Sequence, residues 1–99
     1  MNNAIKPKDI YHILNKEYCF IDIRDHFQFE QLHVKNFVNV PYDNIFQFSF
    51  PLHQPIVLIC YSGEKAKRLA HQLSQLGYHA YYIEGGFQAL FNLNNNQYF

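Results

Sequence analysis

Cys60 is the residue in this chain best placed to do chemistry. It opens the stretch Cys60-Tyr61-Ser62-Gly63-Glu64-Lys65-Ala66. The apolar run Ile56-Val57-Leu58-Ile59 leads into it, and an amphipathic helical pattern from about Lys65 to Leu76 leads out. A thiol is thereby set where a buried strand ends and a helix begins, at the edge where open α/β sheets bind their ligands. The first turn of a helix offers free N–H groups and a partial positive charge. A cysteine held there is favoured as a thiolate, the nucleophilic form. Gly63 allows a short loop to curl around the sulfur, so that N–H groups from Tyr61 to Ala66 form an anion-binding nest. Lys65, Lys67 and Arg68 place positive charge at a helix end that ordinarily prefers negative charge, which points to an anionic ligand. A lone cysteine at a strand end is more often a small buried hydrophobe. The Cys-x-x-Gly-x-Lys spacing between strand and helix is what shifts the reading toward catalysis.

The elements that must position this loop follow from periodicity. Met1 to Ile5 is a short polar start ending in an edge strand. Pro7 opens a helix in which Ile10, Ile13 and Leu14 recur at helical spacing to about Asn15. Tyr18 to Ile23 is a strand. Asp25 caps a short helix over His26 to Leu32. His33-Val34 forms a turn, and Val38 to Pro41 a short buried strand. Pro41 to about Phe48 is a short helix or irregular loop, with the alternation of Phe46, Phe48 and Phe50 supporting a strand instead. Ile56 to Cys60 is apolar throughout, as in a strand covered on both faces. Ala66, Leu69, Ala70, Leu73 and Leu76 form one stripe of the following helix, which Gly77 stops. Tyr78 to Ile83 is the last strand. Gly85-Gly86 makes a tight turn, Phe87, Leu90 and Phe91 give a final helical stripe, and Asn94 to Asn96 fray. Strands alternating with helices predict an α/β fold with a mainly parallel central sheet and helices on both faces.

Ninety-nine residues support one domain, spanning 1–99, because a second core would not fit. The 48% hydrophobic content supplies a core and argues against disorder, and most of the 18% aromatic content reads as core filling. Zero formal net charge gives no global pull toward nucleic acid or a membrane surface. Two cysteines make no disulfide framework. Cys19 belongs to a strand, and a Cys19–Cys60 redox pair is the less favoured arrangement. Nothing resembles a signal peptide or a bilayer-spanning run, so a cytoplasmic location is expected. The six histidines form no zinc-type set with cysteine, and nothing favours His33 or His79 as a base for Cys60. No metal, cofactor, nucleic acid or membrane partner is called for.

The motifs together resemble the rhodanese-like sulfurtransferase family. Cys60 to Ala66 is similar to its active-site loop, typically Cys-x-x-Gly-x-Arg. Phe20-Ile21-Asp22-Ile23-Arg24 is similar to its apolar strand ending in Asp-x-Arg. Phe29 to Pro41 is similar to its Phe-x-x-Gly-His-Ile-Pro-Gly-Ala-x-Asn-x-Pro stretch, with His33, Val34, Asn39 and Pro41 in register. Glu84-Gly85-Gly86-Phe87 is similar to its Gly-Gly turn. The segments come in the family's order over nearly the whole chain. Departures cluster in one turn, where Leu32, Lys35, Asn36 and Phe37 replace Gly, Pro, Gly and a small residue. Asn36 accepts left-handed angles; Leu32 leaves the conformation of its turn open.

The resemblance implies a rhodanese-like fold and a catalytic Cys60 that carries a persulfide. Tyr61, Ser62, Gly63, Glu64, Lys65 and Ala66 would form the binding loop, the Ser62 hydroxyl assisting. It implies that Asp22 helps hold that loop and that Arg24 makes structural ion pairs beside it. The partners would be a small sulfur donor, or a protein persulfide or thiol, with a thiol or cyanide as acceptor. Lys65 would attract an anionic donor and Glu64 would oppose it, which disfavours small dianions such as thiosulfate. Two other readings fit the same residues. One is a non-catalytic or redox-sensing protein-binding module. The other is a cysteine-dependent phosphatase or arsenate reductase, disfavoured because its loop is usually longer and ends in an arginine that clamps phosphate.

Overall fold

The computed structural model describes residues 3–93 and 96–99, with the backbone alone at Asn96. Among the described residues, five strands form one sheet: Ala4–Ile5 (β1), Cys19–Asp22 (β2), Val38–Asn39 (β3), Ile56–Ile59 (β4) and Ala80–Ile83 (β5). Their order is β1-β5-β4-β2-β3, and every pairing is parallel. The α-helices are His26–Gln31 (α1), Glu64–Gln75 (α2) and Gly86–Phe91 (α3), with 3-10 segments over Pro7–His12, Tyr42–Gln47 and Asn96–Tyr98. The α/β reading with helices on both faces of a parallel sheet holds.

β4 lies at the centre because it can be buried on both sides. Ile56 and Leu58 pack with Ile21, Leu69, Ala70 and Leu73 on the α2 face, and Val57 and Ile59 pack with Ile10, Phe20, Phe87 and Leu90 on the other. The strand's alternation continues one residue further, turning Cys60 toward the α2 face. Parallel strands share a direction, so the loops after β2, β3 and β4 gather at one edge of the sheet.

Several elements differ from the sequence expectations, each for a local reason. The segment after Pro7 is a 3-10 turn over Pro7–His12 rather than a helix to Asn15. Residues three apart eclipse in that geometry, which brings Ile10 and Ile13 onto the same core cluster. β3 is an edge strand of two residues, not a buried one, and Val38 is 60% exposed. The stretch after Pro41 is a short helix, as expected, of 3-10 type over Tyr42–Gln47. The competing strand through Phe46, Phe48 and Phe50 does not form, because Ile45 takes the core position and Phe46 faces out. Leu76 is the C-cap of α2, where the backbone leaves helical geometry, and it is 71% exposed. Phe91 likewise falls outside the core, although Phe87 and Leu90 of its stripe are buried. Tyr11, Phe27, Phe46, Tyr61 and Phe91 are all exposed, so a good part of the aromatic content is surface rather than core.

Other expectations hold in detail. Asp25 caps α1 by accepting from Gln28 N at 2.8 Å. Asn36 adopts the left-handed φ of 72°. Leu32 is extended (φ −166°, ψ 131°) and needs no glycine at this turn. Gly77, at φ 98°, ends α2. Of the asparagines expected to fray, Asn94 and Asn95 lie outside the described residues, and the Asn96 backbone opens the last 3-10 segment. Met1 and Asn2 also lie outside them.

Candidate active site

The loop between β4 and α2 closes around the Cys60 sulfur. Gly63 N donates to Sγ at 3.1 Å and Ala66 N at 3.4 Å. Cys60 is 5% exposed. Gly63 makes this geometry available: as the N-cap of α2 it sits at φ 95°, and a Cβ there would meet Gly85 N at 3.0 Å. The first helical bond of α2 runs from Lys67 N to Gly63 O. The N–H groups of Ser62, Glu64 and Lys65 have no acceptor among the described residues, which leaves them for a ligand. Of the six N–H groups from Tyr61 to Ala66, two donate to sulfur and the Tyr61 N–H likewise has no acceptor among the described residues. The Ser62 hydroxyl makes no bond to Sγ.

The loop rests on the start of α3. Phe87 N donates to Cys60 O at 2.8 Å, and Gln88 N to Tyr61 O at 3.0 Å. These are first-turn amides of α3 that would otherwise lack partners. Gly86 makes the approach possible, since a Cβ there would sit 2.5 Å from Tyr61 O and 2.6 Å from Gly63 N. The sequence marked Gly85-Gly86 as a turn and missed that it is the floor of the nucleophile loop. The close contact is long-range and leaves no local signal beyond the paired glycines.

The loop faces a cleft of about 380 Å³. One wall is Ile23, Arg24 and Asp25 from the β2–α1 connection, with Gln28 from the first turn of α1. Another is Pro41, Tyr42 and Asp43, after β3. Cys60, Tyr61, Ser62, Glu64, Lys65 and Arg68 complete it. Of the three bases singled out in the sequence, Lys65 and Arg68 line the cleft and Lys67 does not. Lys65 Nζ lies 5.2 Å from the centre of the Tyr42 ring. Tyr42, Asp43 and Gln28 were not legible as site residues, because only the convergence of three connections brings them to Cys60.

Asp22, behind this wall, forms a buried pair with Arg24, which is part of it. Asp22 is fully buried and takes four hydrogen bonds from Arg24: from its backbone N at 2.9 Å, from Nε at 3.1 Å to each carboxylate oxygen, and from Nη2 at 2.9 Å. Arg24 Nη2 also donates to Leu32 O at 2.7 Å, which the extended Leu32 presents. The Phe87 ring covers the guanidinium at 3.9 Å. The expected ion pair is thus observed. The Asp22 side chain bonds Arg24, while the direct backbone bonds to the Cys60 loop come from α3. Asn39 Nδ2 closes the same corner, donating to Asp22 O and Arg24 O at 3.0 Å each.

The remaining candidates lie elsewhere. Cys19 pairs in register with Ile56, at the opposite end of the strands. Cys60 is four residues beyond Ile56, so about 13 Å of strand separates the thiols, too far for a disulfide. Burial pushes the Cys19 thiol up from its ordinary value. His33 stacks on Phe29 at 3.8 Å and bonds Phe29 O at 2.9 Å. The His79 carbonyl accepts from Ile56 N, at the far end of β4 from Cys60. Neither histidine lines the cleft. Among the described residues no group of acids, histidines and cysteines could hold a metal ion, and no helix is long and apolar enough to cross a membrane.

Comparison with known proteins places this geometry. A thiosulfate sulfurtransferase GlpE from Tolumonas auensis is 33% identical over 73 residues, which cover 71% of this chain and 69% of the relative. A thiosulfate sulfurtransferase GlpE from Vibrio cholerae is 30% identical over 82 residues, covering 80% and 77%. The crystal structure of a rhodanese-related protein from Thermoplasma volcanium superposes with a TM-score of 0.83 at 25% identity, covering 92% of each chain. The rhodanese-like domain model matches residues 6–92. On the strength of those matches, the chain belongs to the rhodanese-like domain family.

Proposed function

We propose that this chain is a sulfurtransferase that carries sulfane sulfur as a persulfide on Cys60. The observation that carries the reading is the placement of Sγ under two backbone N–H donors at the head of an open cleft. The Cys60 thiolate attacks the outer sulfur of a donor. With thiosulfate, the S–S bond of the donor breaks, sulfite leaves with the bonding pair, and Cys60-S-S⁻ forms. An acceptor anion then attacks the terminal sulfur: a thiolate departs as its own persulfide, or cyanide as thiocyanate, and the Cys60 thiolate returns. These are two half-reactions of covalent catalysis with ping-pong kinetics. The unpaired N–H groups of Ser62, Glu64 and Lys65 stabilise the terminal sulfur, whose charge they meet already oriented. Tyr61 lines the mouth, and Ala66 and Gly63 hold the inner sulfur. Asp22 and Arg24 support the wall. Glu64 opposes Lys65 at the cleft, so a polysulfide or a thiol-bound persulfide loads Cys60 faster than thiosulfate does.

Intact-mass spectrometry of the reduced protein after exposure to thiosulfate, and separately to polysulfide, tests this. The expected result is a gain of one sulfur, faster from polysulfide, that is absent in Cys60→Ser. No gain from either donor would sink the reading.

A further inference from the structure

We infer that Arg24 binds the donor directly, hydrogen-bonding an oxygen on the group attached to the transferred sulfur, in addition to its pairing with Asp22. The inference rests on the sulfurtransferase reading and specifies how its cleft recognises substrate.

A guanidinium carries five N–H donors. In Arg24, Nε–H is shared between the two Asp22 oxygens, and Nη2 spends its two protons on Asp22 Oδ2 and Leu32 O. Nη1 has no acceptor among the described residues. The side chain is only 4% exposed. Every deeply buried side-chain nitrogen and oxygen among the described residues has a partner, so the small exposed part of Arg24 includes Nη1. Arg24 lines the same cleft as Cys60, while the Phe87 ring closes a face of its guanidinium. A donor with no acceptor among the described residues, held rigid by the Asp22 pairing on a side chain that lines the cleft, is prepared for an acceptor that arrives with substrate. Its charge is already balanced by Asp22, so it selects by hydrogen bonding rather than by attraction of net charge. Asp22 occupies the Nε/Nη2 edge and Leu32 O takes the other Nη2 proton, so neither edge is left to grip a carboxylate or sulfonate with two parallel bonds. Nη1 therefore takes a single oxygen. The ligand class is a donor whose leaving group bears an oxygen acceptor: a thiosulfonate, thiosulfate, or the persulfide of a thiol with a nearby carbonyl or carboxylate.

The test compares two monoanionic donors that differ in oxygen: methanethiosulfonate, which leaves as methanesulfinate, and hydrodisulfide, which leaves as hydrosulfide. Loading of Cys60 is measured for wild type and Arg24→Lys, which keeps a cation beside Asp22 but loses the fixed planar donor. The thiosulfonate-to-hydrodisulfide ratio of kcat/KM is expected to fall about tenfold in the variant, the size of one lost charged hydrogen bond. A merely structural Arg24 would depress both donors alike, and an unchanged ratio overturns the inference. Absence of loading in wild type would instead overturn the sulfurtransferase reading. Should Arg24→Lys fail to fold, wild type labelled with ¹⁵N-arginine serves, since the chain has only two arginines, Arg24 and Arg68. Titration with methanesulfinate is expected to shift the Arg24 guanidinium signals; a silent Arg24 overturns the inference.

Discussion

At the scale of single residues, the Cys60 loop depends on a glycine outside the cleft lining. Gly86 has a φ of 67° and lies against the carbonyls of Cys60 and Tyr61 and the amide of Gly63. All three neighbours are backbone and cannot swing aside. Gly86→Ala combines left-handed strain of about 1–2 kcal/mol with a displacement of the loop that aims two N–H groups at Sγ. We expect the rate of Cys60 loading to fall at least about 100-fold, since small misplacements cost that much, while thermal melting drops by only several degrees. A loading rate within a few-fold of wild type would show that the floor of the loop is dispensable. Cys19 gives the contrasting case, a half-buried thiol at the far end of the strands from the cleft. Burial raises its folded value above the ordinary one of about 9. The folded state therefore keeps the proton that the unfolded chain gives up. The associated stability is fully present below pH 9 and is lost as pH rises from there toward the folded value. The Tm difference between wild type and Cys19→Ser should thus narrow between pH 8 and pH 10, with Cys60 loading intact in the variant.

At the scale of elements, what could be read from sequence was whatever a strong local pattern encoded. β4 was legible because four consecutive apolar residues have no other home than the middle of a sheet. α2 was legible because Ala66, Leu69, Ala70 and Leu73 repeat at helical spacing and are buried. Cys60 and its loop were legible because they sit where those two patterns meet. The walls of the cleft were not: Tyr42, Asp43 and Gln28 belong to weakly patterned segments whose only shared property is the edge they converge on. Leu76 shows how a stripe misleads at its end, since periodicity continues on paper after the backbone has left the helix. A pair of substitutions separates the two situations. Leu73→Ala removes a side chain packed between α2 and the sheet and should destabilise by about 2–4 kcal/mol. Leu76→Ala, at an exposed cap, should stay within about 0.5 kcal/mol. Urea denaturation of both variants checks this, and equal losses would mean that Leu76 packs after all.

At the scale of the whole molecule, the chain's lack of net charge is matched by a cleft with no positive excess. Lys65 and Arg68 line it with Arg24, whose charge is already balanced by Asp22, against the anionic Asp25, Asp43 and Glu64, within a chain of zero formal charge. Electrostatic steering of an anionic donor requires a field of one sign over the approach, and no such field is available here. The loading rate with thiosulfate should therefore change by less than about twofold between 20 and 200 mM salt, even though screening shortens sharply over that range. Glu64→Gln leaves Lys65 and Arg68 facing only Asp25 and Asp43 at the mouth. That variant should load from thiosulfate a few-fold faster at low salt and lose the gain as salt is added. Stopped-flow loading at several ionic strengths distinguishes the outcomes. A wild-type rate that already falls steeply with salt would mean that Lys65 and Arg68 dominate the approach and that Glu64 does not offset them. A flat response in both proteins would mean that donor recognition is set inside the cleft by directed N–H groups and owes little to charge at its rim.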